Sequence, residues 1–142
     1  MRDVIEISKA PLFGSHSAIQ GENLKKNMPD DVILAMKDKD GVVMVNFFSD
    51  VHPDGTHSDI DEIVDRIMYV VNLAGSEHVG LGSDFDGLTS YPKRLEDVST
   101  YPLLVSKLYD HGLSDEQIIG IIGGNFLRIF EKTESIANKL HV

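Results

Sequence analysis

The run Gly41-Val42-Val43-Met44-Val45-Asn46-Phe47-Phe48 constrains this chain most. It carries no charge and does not alternate between apolar and polar positions. A strand of this kind must be covered on both faces, which is the situation of a parallel sheet packed between helices. The flanking patterns fit. Pro29-Asp30-Asp31 opens a helix to about Lys37, with proline suited to the first turn and the acids to the positive end of the dipole. Ser58, with Asp61 three residues on, opens a second helix. Ile60, Ile63, Val64, Ile67, Met68, Val71 and Ala74 mark one face of it, and Gly75 ends it.

Two further strands are legible. Leu12-Phe13 lead into Gly14-Ser15-His16, and His78-Val79-Gly80-Leu81-Gly82 lead into Ser83-Asp84-Phe85-Asp86-Gly87. Residues 88–98 read as loop. A helix from Pro102 to Asp110 follows, and then a capping box over Ser114-Asp115-Glu116-Gln117. Gly123-Gly124 interrupt that helix. Asn125 is placed to cap the next one, with Phe126, Leu127, Ile129 and Phe130 packing inward. The first nine residues look like the last turns of a helix, so the chain is expected to start mid-fold.

Strands separated by helices imply parallel pairing with right-handed crossovers. The expected class is α/β: the C-terminal portion of a (β/α)8 TIM-type barrel, about three βα units plus trailing helices. A full barrel takes roughly 250 residues, so residues 1–142 are read as one incomplete domain. The alternative is a free-standing three-stranded sandwich, whose open edges would invite association.

Composition removes several functions. There are 13 basic and 23 acidic residues, for a net charge of −10. Phosphate backbones and anionic membranes need a basic footprint, so nucleic acid and lipid surfaces are poor partners. The chain has no cysteine, so a metal must be held by His, Asp or Glu. No apolar run approaches the ~20 residues of a membrane span. No signal-type core follows Met1. The cytosol is compatible with this, and the compartment is not assigned.

Parallel sheets carry their chemistry at the C-terminal ends of strands. His16, the Phe48–Asp50 region and Asp84 qualify. His16 is either a metal ligand or a hydrogen-bonded loop histidine. Asp84 is either a ligand, base or substrate clamp, or a turn acid bonding nearby amides. Asp86, before Gly87, reads as a turn residue. Asp50-Val51-His52-Pro53-Asp54-Gly55 with Asp61 partly imitates a calcium loop, but its third and twelfth positions do not fit. His52, His57, His78, His111 and His141 read as structural or solvated.

Four stretches carry a resemblance: Gly14-Ser15-His16-Ser17, Val42 to Phe47, His78 to Gly87, and Gly123-Gly124-Asn125-Phe126-Leu127-Arg128-Ile129-Phe130. Leu95-Glu96-Asp97-Val98-Ser99 followed by Tyr101-Pro102 adds a fifth. In order and spacing the chain resembles the C-terminal part of the membrane (renal) dipeptidases, amidohydrolase-like metallopeptidases. The resemblance implies a zinc-dependent dipeptidase in which two zinc ions share a bridging water. It implies that His16 is a zinc ligand. It also implies that Asp84 binds the substrate's free amine and passes a proton to the leaving amine.

The chain departs from the family pattern in three places. Lys26, before Asn27, stands where the family has the arginine that holds the substrate carboxylate; lysine keeps the charge but loses the bidentate fork. The loop after the second strand has Phe48 and Val51 and no tyrosine. The family's His-x-Asp pair, bridging glutamate and earlier zinc-binding histidine have no counterpart in these residues. A catalytic zinc keeps about three protein ligands, so little or no hydrolysis is expected of this chain alone. The other expectation is a barrel remnant that self-associates or pairs with a complementary barrel segment.

Overall fold

The computed structural model describes residues 2–19 and 27–140. Three strands, β1 (Phe13–Ser17), β2 (Val42–Val45) and β3 (Val79–Leu81), form a parallel sheet in the order β1-β2-β3. The helices are α1 (Arg2–Ile7), α2 (Asp30–Asp38), α3 (Ile60–Ala74), α4 (Tyr101–Asp110), α5 (Asp115–Ile119) and α6 (Asn125–Leu140). The alternation of strands and helices is therefore as expected. The strand at 41–48 is shorter in its regular part than the apolar run. Its pairing still continues past β2, because Asn46 N donates to Ser17 O and Phe47 N to Ser83 O.

Val43, Val45 and Phe47 are fully buried and share one core with Ile33 and Met36 of α2, Ile63 and Ile67 of α3, and Leu104 and Leu108 of α4. Helices over the sheet supply the cover that a continuous apolar strand requires. No helix among the described residues is long and apolar enough to cross a membrane.

Local chemistry corrects three expectations. The N-cap of α3 is Asp59, whose carboxylate accepts from Asp61 N; Ser58 instead donates to Glu62. Asn125 does not cap α6. The backbone stays helical through it, the kink falls at Gly123, and its amide donates to Ser76 O and Val79 O at 2.7 Å each. A side chain that reaches across to β3 is not free to cap its own helix. On α6, Ile129 is buried as expected, but Leu127 and Phe130 are more than half exposed. The fixed Asn125 sets the rotation of the helix and turns those two side chains away from the core.

A charged clamp holds α6 at the strand entry. Arg128 and Lys132 both bind the Asp40 carboxylate, and Arg128 also donates to Glu77 O. Burial pushes the Asp40 carboxyl up, but Lys132 and Arg128 outweigh it and hold the group below the ordinary aspartate range. A depressed folded pKa contributes stability above the unfolded pKa of about 3.9, and that stability is lost as pH falls through the folded value. Asp40→Asn should therefore lower the melting temperature at pH 7 and narrow its gap from the parent below pH 3. A gap that stays constant with pH would remove this role.

Candidate functional site

Because the strands are parallel, their C-terminal ends meet at one rim. His16 lies near the end of β1 and Asp84 three residues past β3. The two ends are tied by backbone. A Cβ built on Gly82 would lie 2.0 Å from Ser15 O and 3.0 Å from Met44 Cβ. Only a residue without a side chain lets the first and third strands converge over β2 in this way. An extra residue in β1 between Gly14 and Ser17 makes the approach, since a bulge bends the strand that carries it.

His16 is exposed, and its Nδ1 lies 2.7 Å from Ser15 Oγ. When Nδ1–H donates to that hydroxyl, the lone pair is left on Nε2, the form in which imidazole binds metals. Asp84 sits in the left-handed region (φ 60°), which aspartate tolerates better than most residues. Its carbonyl accepts from Gly87 N at 3.0 Å. A Cβ on Gly87 would fall 2.4 Å from Asp84 Oδ1, so the glycine leaves room for the carboxylate. That carboxylate, half-buried, makes no hydrogen bond among the described residues. Asp84 therefore does not have the usual occupation of a turn acid. Asp86 is exposed, in line with a turn role.

The rim is stiffened on either side of Asp84. Phe85 packs edge-on against Phe47 at 5.8 Å and Tyr91 at 5.9 Å, and Tyr91 Oη donates to Phe85 O at 2.6 Å. Lys93 bridges the loops after β2 and β3: its N–H donates to Ser58 O and its carbonyl accepts from Ile60 N. Beneath the β2 loop lies a buried pair. Arg66 Nη2 donates to Asp50 Oδ2 at 2.5 Å, and Nη1 to Phe48 O at 2.7 Å. Ser58 Oγ and His52 Nε2 both reach Glu62, at 2.9 Å each.

This network disposes of the calcium-loop imitation. Asp50 is spent on Arg66, Asp54 accepts from Thr56, and Asp61 pairs with Arg94 and Lys107. Among the described residues no three His, Asp or Glu side chains converge as a metal group. His16 Nε2 fits one position of a metal site, and the described residues do not complete the set.

A cleft of about 360 Å³ opens beside His16. Arg2 and Asn27 share its lining with His16, and Met28, Pro29 and Val32 form an apolar wall. Lys26 lies outside the described residues. Sequence reasoning missed Arg2, Gly82 and the Asp50–Arg66 pair. Arg2 sits on a terminal helix with no motif around it. Arg66 lies beside, not in, the apolar stripe read on α3, where an arginine ordinarily reads as a solvated side chain, yet it is buried.

Comparison with known proteins places this arrangement. An uncharacterized dipeptidase of Schizosaccharomyces pombe is 44% identical over 144 residues, covering 99% of this chain and 35% of that protein. The dipeptidase aclJ of Aspergillus oryzae is 40% identical over 142 residues, covering 98% of this chain and 34% of that protein. The chain thus spans about a third of the length of these relatives. Among solved structures, a metallopeptidase from Rhodobacter sphaeroides, liganded with a phosphinate mimic of the dipeptide L-Ala-D-Ala, matches with a TM-score of 0.79 at 28% identity, over 93% of this chain and 39% of that one. The probable dipeptidase PvdM from Pseudomonas aeruginosa shares the fold, with a TM-score of 0.83 at 23% identity over 94% of this chain and 48% of that one. All of residues 1–142 match the model of the membrane dipeptidase family, peptidase family M19, and the chain belongs to that family.

Proposed function

We propose that this chain is the C-terminal part of a zinc-dependent dipeptidase barrel and cleaves dipeptides only where the rest of the metal site is supplied. The observation that carries the reading is the shared rim: His16 and Asp84 end strands that converge where Ser15 O packs on Gly82. Coverage of 39% of the Rhodobacter metallopeptidase fits three strands of a larger barrel.

In this reading His16 Nε2 is one metal ligand, in the tautomer whose Nδ1–H donates to Ser15 Oγ. The metal, when bound, supplies an activated water and polarises the scissile carbonyl. Asp84 accepts hydrogen bonds from the substrate ammonium, takes a proton from the attacking water onto a carboxylate oxygen and passes that proton to the leaving amine. Its free carboxylate supports that role, because an acid already bonded to turn amides would be a poor base. Lys26 holds the substrate carboxylate.

A chimera tests this. This chain replaces the corresponding third of the Aspergillus oryzae dipeptidase, with the unaltered relative as control. The chimera should hydrolyse dipeptides. Asp84→Asn should lower kcat about a hundredfold or more with metal content intact, and His16→Ala should lose metal. This chain alone, with zinc, should show little or no turnover. A metal-loaded chimera indifferent to Asp84→Asn would refute the assignment.

The second reading is a module that associates through its sheet. Among the described residues the outer strands β1 and β3 each have one unpaired edge, and Phe13, Ile119, Ile122, Leu127 and Phe130 expose apolar surface. A concentration-independent monomer in sedimentation, with a cooperative melt, would count against it.

A further inference from the structure

The end of β2 holds a group that its own surroundings do not explain. Asn46 is 8% exposed, and its Oδ1 is shut off from solvent with no hydrogen-bond donor. It is the one buried side-chain polar atom in that state among the described residues. Its amide nitrogen makes no hydrogen bond among them either. Buried carboxamides are ordinarily bonded, and an unmet acceptor lowers stability. Leucine has nearly the same shape and no such penalty, so folding alone does not call for asparagine here.

Asn46 lies between the two outer strand ends of the rim. Its N–H donates to Ser17 O of β1, and that of the next residue, Phe47, donates to Ser83 O beside Asp84. Val45 and Phe47 are buried on the helix side of the sheet, so Asn46 projects from the other side. Gly82 faces that side too, because a Cβ there would meet Met44 Cβ at 3.0 Å. Asp84 comes two residues after Gly82, and Phe85 packs on Phe47 at the helix side, which leaves the Asp84 carboxylate on the side of Asn46. Gly82 puts no side chain between them, and diagonal neighbours on adjacent strands are within reach of each other.

One strand thus carries an amide donor without an acceptor, and the next a carboxylate without a donor. In the present state the carboxylate lies over Gly87, and the two groups are not bonded. A group that takes and returns a proton has to be held in one orientation, and the usual device is a hydrogen bond from a third group. We infer that Asn46 is the positioning residue of Asp84. When Asp84 turns from Gly87 toward a bound dipeptide, Asn46 Nδ2 donates to one carboxylate oxygen and leaves the other for the proton. The inference rests on the dipeptidase reading above and adds to it a residue that acts through Asp84.

Two measurements test it. In urea, Asn46→Leu in this chain should raise the unfolding midpoint at unchanged slope, because it removes an unmet polar group. A midpoint below the parent's would make Asn46 a structural residue and overturn the inference. In the Aspergillus oryzae chimera, Asn46→Leu should lower kcat about tenfold or more with metal content intact. Asn46→Ala, which cannot overpack, should do the same. On the Asp84→Asn background neither change should lower kcat further, since a residue that acts through Asp84 then has nothing left to orient. Losses that multiply overturn the inference. A loss in Asp84→Asn with Asn46→Leu unimpaired overturns the inference alone. An Asp84→Asn chimera as active as the parent refutes the role given to Asp84, and this inference with it.

Discussion

Gly82→Ala is expected to destabilise this protein by about 3 kcal/mol, near the top of the range for overpacking. The new methyl would lie 2.0 Å from Ser15 O and 3.0 Å from Met44 Cβ. The first is backbone oxygen in a paired strand, so it cannot swing aside as a side-chain tip would. Relief requires β1 and β3 to part at the rim. Gly123→Ala is the matched control, because nothing lies within 4 Å of a Cβ there. Urea denaturation reads both, as a fall in midpoint at unchanged slope. If the two variants unfold together, the convergence of His16 and Asp84 through Gly82 is wrong. In the chimera Gly82→Ala should also lower activity, since a rim displacement of about 1 Å is enough to cost a large factor in rate.

Asp50→Ala should cost about 3–5 kcal/mol, the usual penalty for removing one partner of a buried ion pair. Arg66 is 5% exposed, so without Asp50 its charge stays buried, bonded to Phe48 O and 4.0 Å from Glu62. Water cannot take over without opening the loop after β2. A second change tells an orphaned charge from lost packing. Arg66→Met on the Asp50→Ala background should recover part of the loss, because an apolar side chain of similar length leaves no charge to solvate. If the double variant is no more stable than Asp50→Ala, the cost lies in packing and the electrostatic account is wrong.

These two predictions bear on residues of different legibility. The Gly41–Phe48 run announced its own burial, and α3 announced the face that covers it. The capping box at Ser114 was read correctly, with Ser114 Oγ accepting from Gln117 N and Gln117 Oε1 from Ser114 N. Each of these depends on residues within one turn or one strand. Asp50–Arg66 spans sixteen residues and Asn125–Ser76 spans forty-nine, and no local pattern encodes either contact. The inward packing expected of Leu127 and Phe130 failed for the same reason. Apolar spacing defines a helix face, but the long-range bonds of Asn125 decide where that face points.

The sequence by itself determined the element order, the parallel sheet and the family resemblance, because apolar period, caps and short motifs are local. It also singled out His16 and Asp84 as strand-end residues. Only the tertiary structure decided that their strands converge, since that needs Ser15 O and the absent side chain of Gly82 in the same place. It alone freed the Asp84 carboxylate from turn bonding and set Arg2 beside His16. Proximity between distant segments follows from packing, and packing is settled by every neighbour at once.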